Sequence, residues 1–202
     1  MGKKTSQYTA KAISVLKQDG LRLSLEEIAA RMGITKKTIY NHFESKDDLL
    51  TKCIQSISAD FQMTMNSLDR EKSNAIQNLN DAFVGLNTYF ANLSPLFFYD
   101  IMRLNPNQAM SEHAIGSGIF KEKIKKNLRQ GIDEGLYLPE LNVEMISQYI
   151  AYSVFGFYIN NVVKNSQNIS NTYFEDVLHF NLRAMVTEKG RSVMESAKNT
   201  LH

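Results

Sequence analysis

The chain has 202 residues, of which 43% are apolar and 22% are charged, and its formal net charge is +2. This apolar fraction is large enough to build a hydrophobic core, so the composition excludes a mainly disordered protein. The sequence has one cysteine, Cys53, which excludes a disulfide framework and a multi-thiolate metal site. A single free thiol is typical of a reducing compartment, and we expect a cytoplasmic protein.

Neither a leader segment nor a membrane span is predicted. Residues 1–20 carry charges throughout, unlike a secretory signal. The longest apolar run, residues 149–163, is interrupted by polar residues and is shorter than the roughly 20 apolar residues that cross a bilayer. We therefore expect no membrane partner.

Charge is concentrated at the beginning of the chain. Residues 1–52 carry ten Lys or Arg and six Asp or Glu, whereas acidic residues slightly outnumber basic ones in the remainder. A basic first quarter favours a polyanionic partner for this part of the chain. Chance asymmetry stays open as an alternative on charge alone.

Helical periodicity runs along nearly the whole chain and strand signals are almost absent, so the predicted fold is all-α. The first helix is predicted over residues 7–18 and ends at Gly20, which favours a left-handed C-terminal turn. Longer helices are predicted over residues 45–67, 73–93, 96–104, 119–134, 143–163 and 172–188. Residues 189–202 are polar, and we expect a frayed terminus there.

Two short helices are predicted before the long ones. Ser24-Leu25-Glu26-Glu27 has the pattern of a capping box, in which Ser24 and Glu27 satisfy each other's backbone N–H groups. Thr35 is a suitable N-cap for the next helix. The close succession of these helix starts predicts a compact pair of helices joined by a tight turn.

The spacing of Ala29, Gly33 and Ile39 is typical of a helix-turn-helix. A small residue such as Ala29 allows two helices to cross closely, and Gly33 can adopt a positive φ in the turn. Ile39 would fill the angle between the helices. The second helix would then present Lys36, Lys37, Thr38 and Asn41, whose chemistry suits phosphates and base edges.

The segment from Leu25 to Leu50 resembles the DNA-binding segment of TetR-family transcriptional regulators. The resemblance is carried by Ile28-Ala29, Gly33, Tyr40-x-His42-Phe43, Lys46 and Leu49-Leu50, and it extends over residues 7–50. It implies a three-helix DNA-binding domain, here residues 1–50, followed by a larger helical domain for effector binding and dimerisation, residues 51–202. It also implies regulation of transcription, most simply repression that a small molecule relieves.

The resemblance implies roles for individual residues. Tyr40 and Lys46 correspond to phosphate contacts, His42 lies on the backbone side, and Lys36, Lys37 and Thr38 face the groove. Position 37 is often small or Pro in the family, so Lys37 adds a charge there. The predicted DNA-binding residues are Ser24, Thr35, Lys36, Lys37, Thr38, Tyr40, Asn41, His42 and Lys46.

The TetR resemblance further implies a homodimer that binds a palindromic operator. Residues 143–163 and 172–188 carry wide apolar faces, which need cover on more than one side. We therefore predict that these two segments form the dimer interface as well as part of the core. A monomer with one central core helix is the alternative.

Large apolar side chains recur at helical spacing in the middle of the chain. Ordinary core packing explains most of them, and the resemblance adds a cavity for a small, lipophilic effector. The predicted ligand-binding residues are Phe83, Leu86, Tyr89, Phe90, Phe98, Met102, Phe120, Tyr152 and Phe155.

Other classes of protein are less well supported by the sequence. It contains no nucleotide-binding loop, nucleophile elbow or Glu-x-x-His pair, so we expect neither an enzyme nor a cofactor or metal site. A non-specific DNA-binding protein and a ligand-carrying helical bundle remain as alternatives.

Overall fold

The computed structural model describes residues 3–91, 100, 117–156 and 172–198. Across these ranges the chain is helical, and extended pairing is limited to one isolated bridge between Tyr137 and Val186. The prediction of an all-α fold is confirmed. The helix predicted over residues 96–104 lies outside the described residues.

The helices are numbered here in chain order over the described ranges. They are α1 (Lys3–Asp19), α2 (Leu25–Arg31), α3 (Lys36–Tyr40), α4 (Lys46–Thr64), α5 (Ala75–Ala91), α6 (Ser117–Asp133), α7 (Val143–Ala151), α8 (Tyr173–Met185) and α9 (Glu188–Lys198). A 3₁₀ turn, Met65–Asp69, follows α4, and a π-helical turn, Tyr152–Gly156, follows α7.

The described residues form two compact units, and the division between the units falls at Phe61 and Gln62, inside α4. Residues up to Phe61, together with Asp100, form the first unit, while the rest form the second. The domain limits taken from the sequence, 1–50 and 51–202, stay a prediction. Residue 50 lies inside α4, so no loop separates the two predicted domains at that position.

The core of the first unit is built by α1 to α4. Leu16, Ile28, Ile39 and Leu49, one from each helix, have no exposed surface. Phe43, which follows α3, is 1% exposed, as expected for a core residue of a helix-turn-helix. Burial of these side chains stabilises α2 and α3, which are too short to be stable as isolated helices.

The second unit contains a buried polar contact between α5, α6 and the loop after α6. The Asn127 side chain donates to the Ala75 carbonyl at 2.8 Å, and the Tyr137 hydroxyl donates to Asn127 Oδ1 at 3.2 Å. Gly131 makes room for the Tyr137 ring, because a Cβ there would lie 2.1 Å from Cδ2 of the ring. Burial raises the pKa of the Tyr137 hydroxyl, which therefore stays protonated.

The expectation of a frayed terminus from residue 189 is wrong for the described part of it, because residues 188–198 form α9. Val186 is extended where it pairs with Tyr137, so α8 ends there and a new helix can begin. Thr187 caps this helix by accepting from the Gly190 N–H at 3.1 Å. Lys189 also donates to the Glu134 carbonyl at 2.7 Å.

The helix predicted over residues 143–163 is not regular throughout. It is α-helical to Ala151 and then π-helical from Tyr152 to Gly156, and residues 157–163 lie outside the described ranges. The Tyr173 hydroxyl donates to the Ser153 carbonyl at 2.6 Å, so α8 is tied to this wider turn. A π-helical turn interrupts the regular hydrogen bonds of an α-helix, and the spacing of apolar residues in the sequence does not reveal such an interruption.

Candidate DNA-binding surface

The helix-turn-helix corner has the packing that the sequence predicts. Ala29 is 1% exposed and Ile39 has no exposed surface, so the crossing of α2 and α3 is filled by apolar atoms. Gly33 adopts a φ of +70° in the turn, and the Ile34 N–H donates to the Ala29 carbonyl at 3.0 Å. This backbone conformation is strained for residues with a Cβ, which explains the glycine.

The two short helices begin with the predicted caps. The Glu27 N–H donates to Ser24 Oγ at 3.2 Å, and the Ser24 N–H donates to Glu27 Oε2 at 2.7 Å, so the capping box is complete. At the start of α3 the Thr38 N–H donates to Thr35 Oγ1 at 3.1 Å. Ser24 and Thr35, which are also among the predicted DNA-binding residues, are both exposed.

The outward face of α3 carries most of the predicted DNA-binding residues. Lys36, Lys37 and Asn41 are exposed, Thr38 is half-buried, and Tyr40 is 44% exposed. The inward side chain of this helix is Ile39, so the core fixes which face points outward. The helix thus presents two ammonium groups and one amide within a single turn and a half, a suitable set for phosphates and base edges.

Glu26 on α2 reaches two side chains of this face. Its Oε1 atom lies 2.8 Å from the Lys36 Nζ and accepts from the Tyr40 hydroxyl at 2.9 Å. The hydrogen bond from Lys36 and a second one from Tyr40 lower the pKa of Glu26 to about 2, while the same contacts raise the pKa values of Lys36 and Tyr40. The Tyr40 hydroxyl, which the resemblance assigns to a phosphate contact, is therefore bonded to Glu26 in this structure.

Glu26 is a residue that sequence reasoning assigned to the start of a helix and to nothing else. Its partners lie ten and fourteen positions further along the chain, on a different helix. The signal that could have found it is the pairing of an acid on the first helix with a lysine and a tyrosine spaced four apart on the second. Such a pairing is informative once the crossing geometry of the two helices is known.

His42 lies directly after α3 and contacts α1. Its Nδ1 is 3.1 Å from Thr5 Oγ1, and its ring centroid is 4.7 Å from that of Tyr8. Its carbonyl accepts from Lys52 Nζ of α4 at 3.3 Å. Lys46, the first residue of α4, is half-buried. His42 therefore links the end of α3 to α1 through its side chain and to α4 through its carbonyl.

Four of the nine predicted ligand-binding residues fall into an aromatic cluster of the second unit. The cluster is a chain of rings with centroid distances of 6.3 Å from Phe83 to Phe120, 5.7 Å from Phe120 to Phe155, and 5.7 Å from Phe155 to Phe90. Phe174, which the sequence did not single out, stacks on Phe90 at 5.1 Å.

The other predicted ligand-binding residues are distributed differently. Leu86 is buried and Tyr89 is half-buried on α5, while Tyr152 is 70% exposed. Phe98 and Met102 lie outside the described residues. The structure thus groups Phe83, Phe90, Phe120 and Phe155 and leaves Tyr152 on the surface.

Large apolar side chains are exposed on the two helices that we predicted to dimerise. On α7 and the turn after it, Met145, Tyr149 and Tyr152 are 54%, 47% and 70% exposed. On α8, Phe180 is 66% exposed beside a shallow surface depression that also includes His179 and Arg183. Exposed apolar groups of this size are typical of surfaces that another molecule covers.

The geometry described above defines a helix-turn-helix protein with an all-α body. Residues 9–53 match the family model of bacterial regulatory proteins, tetR family. A curated relative, an uncharacterized HTH-type transcriptional regulator, YvaF of Bacillus subtilis, is 24% identical over 78 residues, which cover 38% of this chain and 41% of the relative. The match thus spans less than half of the relative's length.

Solved structures with the same fold cover nearly the whole chain. The fatty acid degradation regulator FadR of Bacillus halodurans is 20% identical, covers 90% of this chain and 96% of its own, and has a TM-score of 0.72. SmeT, the repressor of a Stenotrophomonas maltophilia multidrug efflux pump, is 16% identical over 91% of each chain, with a TM-score of 0.66. The resemblance to the TetR family that the sequence predicts is confirmed by the family model over residues 9–53, and the solved structures share the all-α fold.

The described part of the chain contains no helix that is both long and apolar enough to cross a membrane. Within the same ranges no group of three or more His, Cys, Asp or Glu side chains is placed to hold a metal ion.

Proposed function

We propose that this protein is a cytoplasmic transcriptional repressor that binds a palindromic DNA operator as a homodimer and is released by a small, lipophilic ligand. The observation that carries this proposal is the α2–α3 corner, which buries Ile39 and exposes Lys36, Lys37 and Asn41 on one short helix. A helix with this exposure can enter a major groove by its N-terminal end.

The proposed DNA contacts are of two kinds. Lys36, Lys37, Thr38 and Asn41 would face base edges and nearby phosphates, because they lie on the outward side of α3. Ser24, Thr35, Tyr40, His42 and Lys46 surround that helix and would contact the DNA backbone. Contacts of the second kind fix the register of the protein on DNA without reading its sequence.

Dimerisation is proposed through α7, the turn after it, and α8. Their exposed apolar residues would be covered by the same surface of a second copy, as an isologous two-fold interface requires. Two copies would then place two α3 helices one DNA turn apart, roughly 34–36 Å, and a palindromic operator follows from that symmetry.

The ligand is proposed to bind at the aromatic cluster around Phe90 and Phe155. Phenyl rings recognise apolar molecules, and the π-helical turn at Tyr152–Gly156 borders the cluster through Phe155. One neighbouring structure is a complex of SmeT with triclosan, with a TM-score of 0.72 and 18% identity over 92% of this chain. A ligand that binds the DNA-free form more tightly would lower DNA affinity by that difference.

The TetR family consists of regulators rather than enzymes, and we propose that this chain likewise has no catalytic activity. Its proposed partners are duplex DNA, a second copy of itself and the effector, with no cofactor.

Selection of duplexes from a random library by the purified protein tests the proposal. We expect recovery of a palindromic sequence that the dimer binds at least about a thousandfold more tightly than random DNA. Lys36→Ala should change the preferred sequence if Lys36 reads a base. Recovery of no preferred sequence would contradict the proposed function.

Release by a ligand is tested on the operator complex. Addition of lipophilic molecules of different shape, with triclosan as the first probe, should dissociate the complex for at least one of them. Phe155→Ala should weaken that response, while operator affinity without the ligand stays within about twofold of wild type, because the residue lies outside the first unit.

A further inference from the structure

We propose that Glu26 attenuates DNA binding, because it restrains Lys36 and Tyr40 on the proposed DNA-binding surface and competes with DNA phosphates for them. The inference rests on the proposed DNA-binding function and names a regulator of that same surface. Glu26 is a positioning residue, because it acts through the two side chains that it holds.

The geometry places one carboxylate oxygen against both side chains. Oε1 of Glu26 lies 2.8 Å from Lys36 Nζ and 2.9 Å from the Tyr40 hydroxyl, and Lys36 Nζ lies 5.7 Å from the Tyr40 ring centroid. Lys36 and Tyr40 are four residues apart and share one face of α3. Ala29 on α2 and Ile39 on α3 are both buried, and the two helices lie close enough for these three side chains to reach one another.

The carboxylate competes directly with a DNA phosphate for the same two donors. A random duplex attracts a protein mainly through phosphates, and each lysine that neutralises a phosphate adds to affinity and to the salt dependence. Lys36 already has an anionic partner, so it contributes less to this term than an unpaired lysine does. In the part of the chain that the structure describes, Lys37 beside it forms no ion pair, which makes Lys37 the natural internal comparison.

Every duplex that engages Lys36 must first displace Glu26. The ion pair is exposed, since the Lys36 and Glu26 side chains retain 69% and 42% of their accessible surface, and exposed pairs are weak. A guanine of an operator or a phosphate of a random duplex can therefore replace the carboxylate, but each binds less tightly by the energy of the pair. Glu26 thus lowers both affinities and leaves their ratio nearly unchanged.

Glu26 keeps this role over the whole physiological range of pH. Its carboxylate would be ionised at physiological pH even at the usual pKa of 4.5, and the contacts with Lys36 and Tyr40 lower that pKa further, to about 2. The restraint is therefore constant rather than a pH switch.

Glu26→Gln tests the proposal in the full-length protein, with fluorescence anisotropy on two duplexes. One duplex is the operator selected by the wild-type protein, and the other is a random sequence of the same length. We expect about a twofold to fivefold gain in affinity for both duplexes, the range that the loss of one exposed ion pair allows. The salt slope on random DNA should steepen by about 0.9, the value for one additional phosphate contact.

Two further variants separate this effect from a general change of charge. Glu44→Gln removes the same charge from an exposed residue of the same unit that contacts neither Lys36 nor Tyr40 in the described structure. Glu26→Asp keeps the charge but shortens the side chain, and it should raise random-duplex affinity as well. The proposal is overturned if Glu44→Gln has the same effect as Glu26→Gln, or if the Glu26→Gln variant binds neither duplex more tightly than wild type.

A double-mutant cycle with Lys36→Met tests whether Glu26 acts through Lys36. In the Lys36→Met background, Glu26→Gln should no longer change random-duplex affinity. A gain of the same size in that background would overturn the proposed route. Failure of the wild-type protein to select any sequence contradicts the proposed function, whereas a selected operator that the Glu26→Gln variant binds no more tightly than wild type contradicts this inference alone. If the Glu26→Gln variant does not fold, the same affinity measurements on Glu26→Asp test the proposal instead.

Discussion

Thr5 Oγ1 lies 3.1 Å from His42 Nδ1, so the first turn of α1 is bonded to the residue that follows the proposed recognition helix. The Tyr8 ring, one turn further along α1, also contacts the His42 ring at a centroid distance of 4.7 Å. The end of α3 is thus held by a contact with Thr5, which lies 37 residues before His42 in the chain. Contacts of this kind determine how rigidly a recognition helix is held.

Thr5→Val should loosen this attachment, because valine has nearly the same shape as threonine and lacks the hydroxyl. We expect a loss of about 0.5–1.5 kcal/mol in the free energy of unfolding and a fewfold loss of operator affinity. Urea unfolding and anisotropy measure the two effects. Thr51→Val, at an exposed position of α4, is the matched control, and an equal effect there would argue against the role of the bond.

Gly33→Ala should destabilise the first unit through backbone strain alone. A Cβ at Gly33 would meet no atom within 4 Å, whereas the φ of +70° is unfavourable for any residue with a side chain. We expect a loss of about 1–2 kcal/mol in the free energy of unfolding, with a smaller loss for Gly33→Asn and a larger one for Gly33→Val. Denaturant titration of the three variants checks this order.

Lys46→Ala should weaken binding to the operator and to random DNA alike. A phosphate contact carries no sequence information, so the ratio of the two affinities should hold while the salt slope flattens by about one unit. Lys72→Ala removes a charge from an exposed position in the second unit and serves as the control. A change in preferred sequence for Lys46→Ala would contradict the assignment of Lys46 to a phosphate.

The carboxyl group of Glu26 should titrate near pH 2 rather than near its usual value of 4.5. A lowered pKa in the folded protein contributes stability above the unfolded value of 4.5, and this contribution is lost as the pH falls towards about 2. Carbon-detected NMR of the side chain gives the midpoint directly. Lys36→Met should raise the midpoint most and Tyr40→Phe less, since the hydrogen bond from Lys36 is the larger cause.

Phe180→Asp should convert the proposed dimer to monomers and reduce operator affinity strongly. A charge on this 66% exposed side chain would be buried without a partner in the two-fold interface. Val84→Asp introduces the same charge at a 61% exposed valine of α5, outside the proposed interface. Sedimentation equilibrium distinguishes the two, and a wild-type monomer at micromolar concentration would remove the interface altogether.

Much of the first unit was predictable from the sequence because its determinants are local. The capping box of Ser24 and Glu27 and the N-cap Thr35 act over three residues, and both are present in the structure. The positive φ of Gly33 and the burial of Ile39 also follow from spacing along the chain. Helix starts, turns and apolar periods depend on neighbours in sequence, so they can be read before any tertiary contact is known.

The tertiary structure decided the contacts that join distant residues. Glu26 meets Lys36 and Tyr40 because two helices cross at a set angle, and no rule of spacing within one helix contains that angle. Val186 ends α8 because it pairs with Tyr137, which allowed α9 to begin in a segment whose polarity predicted fraying. By itself the sequence determined which short helices form and which faces are apolar, whereas packing in three dimensions decided which charged and aromatic groups meet.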